Sequence, residues 1–466
     1  MRLARLAFLT IGLVACSDNS SRIVTRPLAS DGTHLRDADG RVALLRGINA
    51  RVDGVFDVTF GDGRIPLEPL PPLVQADCDR MRQLGFDLLR LPIQWSGIEP
   101  VRGAYDDAYL VRVDAAIACA HAAGMLVVVD LHQDAYSKEI GEDGAPLWAI
   151  QPPPTELLQG PLTDLGERRL SPQVQAAFHT FFDVEDASGL QAAFAAMLGH
   201  VAQRYAESPA VIGFELFNEP DTGTVELAAF HARATAAVRA AAPEKLVMFE
   251  PPALRNFTDF IPMPSEPFAD DAAVYSPHVY TYVFQRDQTA FQTATLENLE
   301  ASVRGAREEA TAWKTPLWIG EFGVAPDADE PHERWMQSQG QLHERYFASN
   351  AFWLWKEQSQ GGWGLFDRDD ATDSWIERPA VIARVSRIHI ARVAGTPASI
   401  EASAVGDEIR LELERSIDMP HAVYIPERFA PRVRASCDGV ALDVARDVAT
   451  GIADLACDGV LVVSAS

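Results

Sequence analysis

The chain has 466 residues, 47% of them hydrophobic and 23% charged, with a formal net charge of −26 at pH 7. That charge argues against nucleic acid as a partner, because phosphate would be repelled; its plain meaning is solubility. The length and apolar content suit one large domain with a small one attached.

The chain opens MRLARLAFLTIGLVAC, with Arg2 and Arg5 ahead of an apolar run over residues 6–15. The run is too short for a permanent membrane span and reads as an export signal. Leu13, Val14, Ala15 and Cys16 resemble a bacterial lipobox. The resemblance implies cleavage after residues 1–15, lipid on the Cys16 sulfur, and a polar tether over residues 16–26. Ser17 follows Cys16, which by the same resemblance points to the outer membrane. The expectation is an exported lipoprotein, periplasmic or anchored to the outer membrane, held there by its lipid and monomeric.

Apolar runs bounded by turn signals then alternate with helical periodicity, the mark of a parallel α/β sheet. The runs cover residues 42–49, 86–93, 125–132, 211–219, 246–251, 274–280, 317–322 and 351–355. Helical patterns between them include 76–84, 108–122, 190–205 and 225–240. Eight such strands predict a (β/α)₈ barrel over residues 27–394. An open doubly wound sheet would want a glycine-rich phosphate turn after the first strand, and none is present. Two long loops, residues 50–73 and 133–184, leave the C-terminal ends of strands and should wall a site. Their apolar residues suit either a substrate with a greasy portion or packing onto the barrel. Trp95, Trp148 and Trp363 fit either role as well. Residues 395–466 alternate with period two and predict an antiparallel β-sandwich. Cys437 and Cys457 in that tail are expected to bridge, whereas Cys78 and Cys119 on successive helices are expected to be buried small hydrophobes.

Two glutamates end hydrophobic strands: Glu219 in FELFNEP and Glu321 in LWIGEFG. Cleaving a glycosidic bond needs such a pair flanking the anomeric carbon, one holding a proton and the other attacking. Glu215 shares the strand face of Glu219 and reads as a structural carboxylate paired with a core cation. His132 and Asp134 sit at a strand end and read as sugar contacts. The dispersed histidines make a metal site improbable, and no cofactor motif is present.

The segments GFDLLRLP, DLHQD, FNEP, HVY, GEFG and FWLW together resemble glycoside hydrolase family five of clan A. The resemblance implies a retaining double displacement with Glu219 as acid/base and Glu321 as nucleophile. It further implies that Arg90 supports the nucleophile and that His132 contacts the sugar. Asn218 would bind the sugar's 2-hydroxyl. From the strand-six segment, His278 and Tyr280 would lie beside the nucleophile, and Trp355 would form a platform under the sugar. In this scheme Glu219 should have a raised pKa and Glu321 should stay ionised beside Arg90. HQDAYS with GAPLWA resembles the endoglycoceramidase branch, which implies cleavage between a glycan and a lipid aglycone. Alternatives are a polysaccharide endoglucanase or mannanase, a β-glucosidase on steryl or simple glucosides, and a silent carbohydrate-binding lipoprotein. Where that branch tends to carry a lysine after the first strand, this chain has Arg51, and Lys356 is a second candidate cation.

Overall fold

The computed structural model describes residues 28–257, 270–358 and 362–465. The expected signal peptide, lipidated Cys16 and tether therefore lie outside the described residues. No helix among the described residues is long and apolar enough to cross a membrane.

Eight strands form one parallel sheet: Arg46–Asn49, Leu88–Ile93, Leu126–Leu131, Val211–Glu215, Leu246–Phe249, Ala273–Tyr275, Trp318–Phe322 and Ser349–Phe352. The last pairs with the first. Parallel bridges from Tyr275 to Leu317 and from Val279 to Phe322 close the remaining seam into a barrel. The strands read as continuous apolar runs because helices cover them outside and the barrel core fills them inside. Among those helices are Gln75–Gln83, Asp107–Ala122, Leu190–Tyr205 and Thr224–Ala241. Local chemistry starts them: the Asp106 carboxylate accepts the N–H groups of Ala108 and Tyr109 at the head of the second.

Alternate residues of each strand enter the barrel. Leu88, Val128, Met248 and Val274 join Leu126 and Trp318 in an apolar floor. Two residues further along the same strands come Arg90, Asp130, Glu250 and Ser276, all buried, with Glu215 at the same level. The strand period thus converts an oily floor into a charged layer directly under the barrel mouth.

The run 42–49 serves two sheets. Val42–Ala43 pairs antiparallel with Arg392 and Val393, while Arg46–Asn49 enters the barrel. Residues before the barrel and strands of the tail share a six-stranded sheet, and a five-stranded sheet faces it. Their core joins Val42 and Leu44 to Ile390, Val423, Leu461 and Val463. Cys437 and Cys457 are bonded there, as expected. The expectation for the other pair is corrected: Cys78 and Cys119 form a disulfide with their Cα atoms 6.0 Å apart. Their helices, Gln75–Gln83 and Asp107–Ala122, pack side by side around the barrel, so the two thiols meet.

The second long loop is not structureless. It contains helix Pro172–Phe181, whose Phe178 and Phe181 join Phe182, Phe194, Phe217 and Phe230 in an aromatic cluster. Trp95 packs against Phe181 and Phe194, and Trp148 caps it edge-on. These two tryptophans therefore anchor loops.

Candidate active site

Glu219 and Glu321 converge. A carboxylate oxygen of each lies within 4.8 Å of the other and of His278 Nδ1. Glu219 sits just beyond strand Val211–Glu215 with φ of 41°, a left-handed backbone uncommon outside glycine. Two partners hold it there. Its N–H donates to Glu250 Oε2 at 3.1 Å, and its carbonyl accepts Gln133 Nε2 at 3.0 Å. Glu321 is fixed by its strand and by two donors, Arg90 Nη1 at 2.7 Å and the Tyr280 hydroxyl at 2.9 Å.

The other expected residues gather around this pair. Arg90 also donates to Glu215 at 2.5 Å and to the side-chain Oδ1 of Asn218 at 2.7 Å. Glu215 is thus the buried partner of a core cation, as its strand face suggested. Asn218 donates to the Gln133 carbonyl at 2.9 Å. His132 Nδ1 lies 2.6 Å from Asp130 and its ring stacks on Trp353 at 5.7 Å. Asp134 holds Arg169, whose guanidinium comes within 3.7 Å of Glu219. His278 Nδ1 lies 2.9 Å from Glu219.

Trp355 requires a correction. It is buried, packs edge-on against Phe366 at 4.6 Å, and does not line the cleft. Trp353 lines it instead, beside Glu219 and Glu321. The final strand ends at Phe352, three residues before the sequence reading ended it, so the earlier tryptophan turns inward.

In the free site other influences pull against the expected division of charge. Burial would raise the Glu219 carboxyl, but the His278 hydrogen bond and Arg169 outweigh it and hold the group below the usual carboxylate range. Burial pushes Glu321 well above the usual carboxylate range; Arg90 opposes this and the Glu219 charge adds to it. The expectation counted Arg90 on Glu321 but not His278 and Arg169 converging on Glu219. Burial and the Glu215 charge raise Glu250, and burial carries Asp130 up to about 6 against the pull of Arg90. The layer holds more carboxyls than cations, so some of its carboxyls keep their protons. Burial, with the Glu321 charge, keeps Tyr280 a protonated donor.

The cleft has a volume of about 380 Å³. One end is polar. Arg51 is buried there among Glu68, Glu142 and Glu357, with Phe56 under its guanidinium. Lys356, the other candidate cation, turns away to Asp77. Part of the wall is aromatic and adjoins the polar residues, the Trp363 backbone N–H donating to Glu357 at 2.8 Å. Trp363 stacks on Phe284 at 5.6 Å, and Phe284 meets both Phe257 and Tyr280. Trp363 thus lines the cleft while Trp95 and Trp148 do not.

Sequence reasoning missed Glu250, Asp130, Arg169 and Trp353. Alternation could have found Asp130 and Glu250, each two residues beyond a floor residue. Ser171 and Pro172 form a helix-start signal that could have found the helix beside Arg169.

The family model of cellulase, glycosyl hydrolase family 5, matches residues 72–359. Endoglycoceramidase I of Rhodococcus hoagii (strain 103S) is 33% identical over 275 residues, which cover 54% of this chain and 52% of that protein. An endoglycoceramidase of Cyanea nozakii is 26% identical over 248 residues, 47% of this chain and 46% of that protein. The chain spans about half the length of these curated relatives. Among solved structures, an endogalactoceramidase superposes with a TM-score of 0.78 at 27% identity, over 95% of this chain and 100% of that one. With the barrel, the paired glutamates and a family match over more than half of its length, the chain belongs to glycoside hydrolase family 5.

Proposed function

We propose that this protein is a retaining endo-type β-glycosidase that cuts between a glycan and a lipid aglycone. The observation that carries the retaining mechanism is the approach of Glu219 and Glu321 to within 4.8 Å. Retaining enzymes keep their carboxyls roughly 5 Å apart, whereas inverting enzymes leave room for a water between them. Glu321 attacks the anomeric carbon and Glu219 delivers a proton to the departing oxygen. A glycosyl-enzyme forms; Glu219, now ionised, takes a proton from the water that releases the sugar. Arg90 and Tyr280 donate to the attacking carboxyl and hold its oxygens in line.

The shape of the cleft supports the lipid aglycone. Its polar end, with Glu142, Glu357 and Asp134, suits sugar hydroxyls, and the aromatic wall of Phe257, Phe284 and Trp363 suits an alkyl portion. The identity to an endoglycoceramidase points the same way. We further propose that the lipobox-like Cys16 tethers the enzyme as a monomer to the outer membrane, next to such substrates. The test is incubation with monoglycosyl ceramide, gangliosides, steryl glucosides and soluble β-glucan, followed by mass analysis. Intact glycan plus ceramide is expected. Turnover of β-glucan alone would overturn the lipid reading, and release of sterol alone would move it to steryl glucosides. Proton resonance should show the β-anomer released first; the α-anomer would end the retaining mechanism.

A further inference from the structure

Glu250 belongs to no motif recognised in the sequence, yet it touches the site at two points. It sits just beyond strand Leu246–Phe249 and is 1% exposed. Its Oε2 accepts the backbone N–H of Glu219 at 3.1 Å. Its Oε1 lies 3.3 Å from His278 Nε2, and the other ring nitrogen lies 2.9 Å from Glu219 Oε1. Neither Glu250 Oε1 nor His278 Nε2 makes a hydrogen bond among the described residues, with each other or with any other group, so the two buried polar atoms face one another unsatisfied. One imidazole therefore spans two carboxyls, the first open to the cleft and the second sealed behind it.

We propose that Glu250 is the proton store of the acid/base, exchanging a proton with Glu219 through the His278 ring. The proposal rests on the hydrolase reading above and deepens it. The charged groups facing Glu250 favour its neutral form. Glu215, Glu219 and Asp130 crowd it with like charge, and Arg90, at 3.7 Å, is drawn to Glu215 and Glu321 at shorter range. In the free site the proton rests on Glu250, its O–H directed at His278 Nε2, while the ring's Nδ1–H donates to ionised Glu219. Transfer breaks the Glu250 O–H and the Nδ1–H bonds and forms Nε2–H and a Glu219 O–H. The ring stays neutral, and the negative charge moves from Glu219 to Glu250. Glu219 then holds the proton that the leaving oxygen takes. Water restores that proton in the second half-reaction, and the reverse shift returns it to Glu250. This accounts for an acid whose surroundings hold it ionised when the cleft is empty.

Glu250→Gln in the full-length protein is the test. The amide is neutral like the acid, keeps an acceptor for the Glu219 N–H, and cannot release a proton. Two β-glycosides are compared: one with an alkyl leaving group, which needs the acid, and one with dinitrophenyl, which does not. On the alkyl glycoside kcat/KM is expected to fall about 100-fold, and its alkaline limb to move down by about one pH unit or more. The glycosylation rate on the dinitrophenyl glycoside is expected to hold. Equal loss on both substrates, or an unmoved pH profile, overturns the store and leaves Glu250 a packing residue. If Glu250→Gln loses its circular dichroism, Glu250→Asp is compared instead: its shorter arm draws the carboxyl away from His278 Nε2, so the alkyl glycoside is again expected to lose rate while the dinitrophenyl glycoside holds, and equal loss on both overturns the store. Wild-type protein inert on both glycosides would instead sink the hydrolase reading itself.

Discussion

The Tyr280 hydroxyl donates to Glu321 Oε2 at 2.9 Å while Arg90 takes the other oxygen at 2.7 Å. Two donors, one on the strand Leu88–Ile93 and one in the segment after Ala273–Tyr275, thus set both the charge and the direction of one carboxyl. Tyr280→Phe removes one of them and leaves the ring's packing against Phe257 and Phe284. A hydrogen bond to a charged group is worth about 1.5–3 kcal/mol, so kcat should fall about 10- to 100-fold with folding unchanged. Stopped assays with a melting curve on the same sample check both halves.

Removing either carboxyl separates the two chemical roles. Glu321→Gln should abolish turnover on every β-glycoside, a loss on the order of 10⁵-fold or more, because no covalent intermediate can form. Glu219→Gln should lose about 10²- to 10⁴-fold on alkyl glycosides but still accumulate glycosyl-enzyme from a dinitrophenyl glycoside. Intact-protein mass spectrometry reads the adduct. An adduct that forms with Glu321→Gln would reverse the assignment.

The two neighbouring tryptophans should behave differently. Trp353 lines the cleft beside His132, so Trp353→Ala should cost about 100-fold in kcat/KM through lost sugar positioning and little stability. Trp355 is buried against Phe366, so Trp355→Ala should cost about 3–5 kcal/mol of stability. Urea unfolding alongside kinetics distinguishes them, and the opposite pattern would restore Trp355 as the platform.

Cys78 and Cys119 are 41 residues apart in sequence, Cys437 and Cys457 only 20. On the chain-entropy argument the longer loop stabilises slightly more, each bond contributing about 2–4 kcal/mol. Opening the first bond with paired serine substitutions should lower the melting temperature at least as far as opening the second. A thiol count of the native protein in denaturant should find neither pair reduced.

Burial of His231 holds its ring down at about 3, from an ordinary 6.5. The folded-state pKa is depressed, so the unfolded chain takes up a proton that the folded chain refuses. This contribution to stability is complete above 6.5 and is lost as pH falls below it. Near pH 5 the loss is about 2 kcal/mol. His231→Leu should flatten the decline in urea-derived stability between about pH 7 and about pH 5 by that amount. Equal declines in both proteins would clear the ring of the effect.

The barrel was legible because strands buried on both faces are written as unbroken apolar runs, and a run such as 125–132 has no other use. The catalytic pair was legible because each glutamate ends such a run beside a recognisable motif. What escaped depended on where the chain goes after leaving regular structure. Trp353 and Trp355 are indistinguishable in FWLW until the strand is known to stop at Phe352. Glu250 stands next to two prolines and looks like loop, although its backbone continues the inward alternation of Met248. The partners of Cys78 and Arg169 come from elements whose rotation about their axes no local pattern fixes.

The pairing of Val42–Ala43 with Arg392 and Val393 ties a segment early in the chain to a strand made some 350 positions later. During synthesis the opening segment has nowhere to dock until nearly the whole polypeptide exists. A protein stopped short at its C-terminus would lose its beginning as well as its end, so the six-stranded sheet assembles last.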